Sequence, residues 1–188
     1  MRAIVVAMLC ASTFLCIAQE QAKQPSTPPW GAPPTELKMV DFMLGDWSKS
    51  ETREVAGKKG DITFKLSISR VLSGRYVQVK HVHNMPGEPD VEGMRVEGIH
   101  MLTYDPDNKL WRAWWFSGTD TNVSELSGSF GGDKLQMVSK PFQIPRPPGE
   151  RTIRASWQMT SERGLNLTIE FKQGDSWVTF IDRTYVKK

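Results

Sequence analysis

Cysteine is nearly absent from this chain: of 188 residues only Cys10 and Cys16 carry a thiol, and both lie in the first apolar stretch. Beyond position 16, disulfides, thiol catalysis and Cys-ligated metal have no residues to draw on. Histidine is almost as scarce, with His81, His83 and His100 alone. No block of Lys or Arg stands out; without Arg2 there remain 23 basic and 21 acidic residues, interspersed along the chain. A nucleic-acid footprint gathers basic residues on one face, so no nucleic-acid partner is expected. Nor is there a Gly-x-Ser-x-Gly elbow or a Gly-rich phosphate loop, and Gly131-Gly132-Asp133 reads as a hairpin turn. Apolar runs are short too. The longest, Ala3 to Ile17, is broken by Ser12 and Thr13 and falls short of the roughly 20 residues that a transmembrane helix needs, so no transmembrane segment is expected.

What is present begins with a leader. Arg2 supplies a positive start, the apolar run follows, and Ala18 precedes the polar Gln19-Glu20-Gln21. That order is the order of a secretory signal peptide, and it predicts a periplasmic or secreted protein. Cleavage after Ala18 leaves 170 of the 188 residues, none of them cysteine. The alternative is lipidation of Cys16, against which Thr13-Phe14-Leu15 lacks the small residue expected just before a lipidated cysteine. Residues 19–34 hold Pro25, Pro28, Pro29, Pro33 and Pro34 and read as an extended tether, with Trp30 placed to dock on the domain. Residues 35–188 then form a single domain. Thr35 is placed to cap a short helix, with Glu36 in its first turn and Leu37, Val40 and Met43 or Leu44 on one face, suited to plug a barrel end.

From Trp47 the period becomes two. Ile62, Phe64, Leu66 and Ile68 alternate with polar neighbours, as do Val77, Val79, His81 and His83. The same holds for Ile153, Ala155, Trp157 and Met159, and for Leu165, Leu167, Ile169 and Phe171. Such alternation requires a sheet with one hidden and one wet face. Turn chemistry at 57–60, 72–74, 84–90, 105–108, 117–121, 131–133, 162–164 and 173–175 separates about ten strands. The stretch Pro141 to Gly149 carries four prolines and cannot be a central strand. Short connections imply antiparallel neighbours. An all-β, up-and-down barrel hides its edges by closing, and with eight or more strands it can enclose one small ligand.

The strand Leu110-Trp-Arg-Ala-Trp-Trp-Phe116 is apolar on both faces. One face is expected to line the lumen and the other to be covered by the N-terminal helix or Trp30. An exposed aromatic patch around Trp114, used to recruit a partner, is the alternative.

The segments Asp41-Phe-Met-Leu-Gly-Asp-Trp47, Arg70-Val-Leu-Ser-Gly-Arg75, Glu97-Gly98 and Leu102-Thr-Tyr-Asp-Pro-Asp-Asn-Lys109 resemble the bacterial family catalogued as domain of unknown function 1579, over roughly Leu37 to Tyr185. The resemblance implies a lipocalin-like, calycin-type barrel and no established activity. Gly45-Asp46-Trp47 also resembles the Gly-x-Trp of lipocalins, which implies that Trp47 packs at the closed end.

Candidate chemistry is sparse. His81 and His83, at i and i+2, could meet one metal ion, but joining their strand to the next across Asn84 to Asp90 sets His100 opposite residues 73–75, roughly 20 Å from His81. No metal and no cofactor are therefore expected, and enzymatic function is the least favoured class. In the last strand Arg183 and Tyr185 share a face with Trp177, Thr179 and Ile181, an apolar wall ending in one charge and one hydroxyl. Fatty-acid-binding barrels have a similar Arg-x-Tyr for a carboxylate. The sequence favours the opposite face, Val178, Phe180 and Val186, as the lumen lining, because it is just as apolar. Arg75 and Arg112 are alternative anion anchors. The leading functional expectation is a barrel that binds a small apolar or amphipathic molecule; the competing one is a structural or protein-interaction module of the cell envelope.

Overall fold

The period-two segments do close on themselves. A computed structural model describes residues 31–55, 58–84, 95–118, 123–145 and 148–188. Ten antiparallel strands form one closed barrel in the order β1 (Gly45–Val55), β12 (Ser176–Lys187), β11 (Gly164–Gln173), β10 (Ile153–Ser161), β7 (Lys134–Ser139), β6 (Val123–Gly131), β5 (Leu110–Ser117), β4 (Arg95–Asp105), β3 (Tyr76–Asn84) and β2 (Lys58–Val71). It is a lipocalin-like, all-β architecture. Apart from the closure of β1 on β12, the step that skips chain neighbours, β7 to β10, spans the proline-rich stretch, where β8 (Phe142–Pro145) and β9 (Pro148–Arg151) pair only with each other. Proline has no N–H for a ladder, which keeps this hairpin out of the barrel wall. The ring is sealed where Trp47 and Ser48 of β1 face Lys187 and Val186 of β12. Closure leaves no unpaired edge.

Residues Pro33–Lys188 make one compact unit that contains the whole barrel. The leader, the tether as far as Trp30, residue 57, residues 85–90 of the expected β3–β4 turn and residues 119–121 of the next lie outside the described residues. The expected turn at 57–60 is shorter than that, because β2 already runs from Lys58.

Side-chain parity builds the core. Phe64, Leu66 and Ile68 on β2, Val77 and Val79 on β3, Trp111 and Ala113 on β5, Leu135 and Met137 on β7, Ala155 and Trp157 on β10, and Leu165, Leu167 and Ile169 on β11 all point inward and are buried. Each fully buried aliphatic side chain of this size contributes about 1.5–3 kcal/mol.

The element before β1 is a 3-10 helix, Thr35–Met43, rather than an α-helix. Thr35 does not cap it: Pro34 holds the N-cap position, no side chain bonds the first turn, and the Thr35 hydroxyl turns to Glu36. With three residues per turn, Leu37, Val40 and Met43 fall on a single line, and all three are buried. The indole Nε1 of buried Trp47 donates to the Met43 carbonyl at 2.7 Å, which ties the end of the helix to the first strand. Arg70 adds a second tie, donating through Nη2 to the Leu37 carbonyl at 2.8 Å and to Asp41 at 2.5 Å.

The aromatic strand β5 divides as its parity dictates. Trp111, Ala113 and Trp115 face the lumen, whereas Trp114 lies on the outer side against Tyr76, ring centroids 6.4 Å apart. The cover that this outer face receives thus includes a side chain of β3, two strands away in the barrel order.

Candidate functional site

The last strand decides what the lumen contains. β11 and β12 run in register from Gly164↔Val186 to Ile169↔Ile181, and then Glu170 pairs with Thr179, leaving Phe180 as the extra residue of a bulge. Because strand side chains alternate with period two, one inserted residue exchanges the faces beyond it. Ile181, Arg183 and Tyr185 therefore line the lumen, while Trp177, which the sequence places on their face, stands outside beneath the guanidinium of Arg154, 4.5 Å from its ring centroid. Arg154 is itself paired with Glu170 at 2.5 and 2.8 Å. The favoured alternative lining is also overturned: Val178, Phe180 and Val186 are exposed, Phe180 by 67%.

Inside, Arg183 is 8% exposed and Tyr185 only 1%. The Arg183 guanidinium lies over the Phe64 ring, 3.4 Å from its centroid, and donates through Nε to Glu51 at 3.2 Å. Burial raises the Tyr185 phenol above its usual pKa, with Arg183 acting in the opposite direction, so the hydroxyl is protonated at neutral pH.

The histidines meet, contrary to the expected register. β3 and β4 pair from Asn84↔Arg95 to Val77↔Leu102, which sets His100 opposite Val79, not opposite residues 73–75. The connection between these strands is longer than the Asn84 to Asp90 turn chemistry suggests, and each extra residue there slides the register. His81 now has His83 at 5.1 Å and His100 at 5.3 Å between ring centroids, and His100 lies 4.7 Å from Trp115. Desolvation is the main cause that lowers all three pKa values, to about 4 at His81 and about 3 at His100; neighbouring positive charge, from Arg183 in the case of His83, adds to it. The cluster is neutral at neutral pH. The Nε2 of His81 is turned onto Gly98, where a Cβ would sit 1.8 Å away. Among the described residues no three His, Cys, Asp or Glu side chains converge to hold one ion.

These groups surround one cavity of about 30 Å³, walled by Leu66, Val79, Trp157, Leu167, Ile169 and Ile181 and presenting His81, His83, His100, Trp115, Arg183 and Tyr185. Three of the lining residues carry a buried polar atom with no hydrogen-bond partner: His81 Nε2, His100 Nε2 and Trp115 Nε1. An unsatisfied buried donor or acceptor costs about 1–3 kcal/mol, so a guest offering hydrogen bonds has something to gain here.

The remaining sequence candidates are not brought to the cavity. Arg112 is on the outer face of β5, ion-paired with Asp105 at 2.8 Å and Glu125 at 3.1 Å. Arg75 sits at the turn before β3, its carbonyl accepting from the Thr103 hydroxyl. Trp114 is on the outer surface. Sequence reasoning did not assign Glu51, Trp115, Trp157 or Gly98 to the site, and it set His100 too far from His81. For Glu51 a signal existed: it shares the parity of inward-facing Trp47 on β1, so a carboxylate on the hidden face was legible.

Residues 32–187 match the family described as Protein of unknown function (DUF1579), and the chain belongs to that family. No curated protein matches it.

Proposed function

From a family whose description states no activity, and from the geometry above, we propose that this protein is an exported barrel that binds one compact amphipathic molecule in its lumen. The observation that carries this reading is the cavity itself: an apolar wall with one arginine, one phenol and three lining residues that carry partnerless buried nitrogens. Its size bounds the guest. A cavity of about 30 Å³ has room for about two water molecules, so a ligand of a few heavy atoms fits with small side-chain shifts. Retinoid-sized or haem-sized ligands need pockets of about 300–1,000 Å³ and would require the lumen to be rebuilt. The alternative, an envelope interaction module, draws on Phe116 and Val123, cross-strand partners that are both exposed; Trp114 itself is half-buried.

Trp115 and Trp157 line the cavity and report its occupancy. A panel of small acids, amides, alcohols and heteroaromatics should contain compounds that change tryptophan emission and raise Tm together. A panel that leaves both unchanged overturns the binding reading. For export, intact mass of protein recovered from the envelope or medium of a bacterial host should correspond to a chain starting at Gln19. A mass that retains Met1–Ala18, or one increased by a diacylglycerol on Cys16, overturns the soluble exported reading.

A further inference from the structure

We infer that the guest of the lumen is a short-chain carboxylate, and that Glu51 is its built-in competitor for Arg183. This rests on the lumen-binding reading and names the ligand class for it. Arg183 is one of few charged groups among the buried residues, and its hydrogen bond to Glu51 is made by Nε at 3.2 Å. A guanidinium binds a carboxylate best through two parallel N–H bonds, and a single contact through Nε leaves that fork geometry unused. The Glu51 side chain keeps 23% of its exposure against 8% for Arg183, so the carboxylate borders solvent while the cation stays inside. Exchanging one carboxylate for another leaves the desolvated arginine compensated throughout, which removes the main cost of opening a buried ion pair.

The charge selects a monoanion. With His81, His83 and His100 neutral, Arg183 is the single cation facing the cavity among the described residues, and a dianion such as sulfate would bring an uncompensated charge into an apolar wall. The wall selects a short alkyl chain: Leu66, Val79, Leu167 and Ile169 offer it contact, and the volume admits only a few carbons. A second observation, independent of the arginine, points to a guest with hydrogen-bonding capacity: His100 lines the same cavity, and its buried Nε2 has no partner.

The test uses the full chain with propionate, its neutral isostere propionamide, and sulfate, at matched ionic strength, read by calorimetric titration and by the Trp115 indole N–H resonance. Propionate should bind at least about tenfold more tightly than propionamide or sulfate, a ratio set by one charge-assisted pair. Glu51→Gln should tighten propionate by about tenfold, because the competitor's charge is gone, and Arg183→Met should abolish the preference for the acid. Should Glu51→Gln fail to fold, Glu51→Asp shortens the competitor and is expected to move affinity in the same direction. Propionamide or sulfate binding as well as propionate, or affinity unchanged or weakened in the Glu51 variant, overturns the inference and leaves the lumen a binding site for something else. Absence of binding by all members of the wider panel overturns both.

Discussion

The imidazole of His81 occupies the space that a side chain on residue 98 would need. Gly98 lies directly opposite His81 across β3 and β4, and a Cβ built on it would stand 1.8 Å from Nε2 and 2.7 Å from Cε1 and Cδ2. Gly98→Ala should therefore destabilise the barrel by about 1–3 kcal/mol, the usual cost of overpacking. Combined with His81→Ala, the same change should cost almost nothing further. Urea unfolding of the four members of this double-mutant cycle measures the coupling, and additive effects would show that the ring is not held against Gly98.

The C-terminal end of the 3-10 helix is tied to the first strand by a hydrogen bond from Trp47 Nε1 to Met43 O, at 2.7 Å, beside the separate tie that Arg70 makes to Leu37 and Asp41. Trp47→Phe keeps most of the apolar bulk and orphans a buried carbonyl. The expected loss is about 1–3 kcal/mol, with faster amide exchange over residues 37–44 than over the strands. Uniform exchange across helix and strands would show that the helix end is held by other contacts.

Acid should weaken the fold in a window set by the histidines. Unfolded imidazoles bind protons below their usual value of 6.5, whereas folded His81 and His100 refuse them until about 4 and about 3. The unfolded state thus holds more protons in that range, so stability is complete above pH 6.5 and is lost as pH falls toward 3, at on the order of 1 kcal/mol per pH unit for each imidazole. The depressed carboxylates of Glu125 and Glu170 act in the same direction, starting near their usual 4.5, which leaves the interval from 6.5 to about 5 to the histidines. His100→Gln should flatten that upper limb by one proton. An unchanged slope in denaturant midpoints across this interval would show that His100 titrates normally in the barrel.

Parity along β5 separates tryptophans three residues apart. Trp111 is buried in the lumen, in edge contact with Phe130 at 5.7 Å, and Trp111→Ala should cost about 3–5 kcal/mol. Trp114, half-buried on the outer surface beside Tyr76, should cost only about 1 kcal/mol on the same truncation. Equal losses in chemical denaturation would contradict the inside-outside assignment of this strand.

Much of the fold was legible because periodicity is a local property. The runs Phe64-Leu66-Ile68 and Leu165-Leu167-Ile169 announce strands with one hidden face, and the prolines of Pro141 to Gly149 announce a stretch that cannot be a central strand, though not the hairpin it forms. Short turns made the meander readable, and Leu37, Val40 and Met43 announced a helix with one buried line. The site was less legible. Whether Trp177 shares the lumen with Arg183 hangs on one bulge residue in β12, and whether His100 meets His81 hangs on the length of one connection.

That the chain is an all-β meander with a hydrophobic interior follows from local alternation of side-chain polarity, which needs no knowledge of distant residues. Which polar groups share that interior follows from long-range pairing alone. A shift of one residue in pairing exchanges the faces of a strand, and what fixes the pairing is the sum of contacts over the closed barrel, to which no single segment holds the answer.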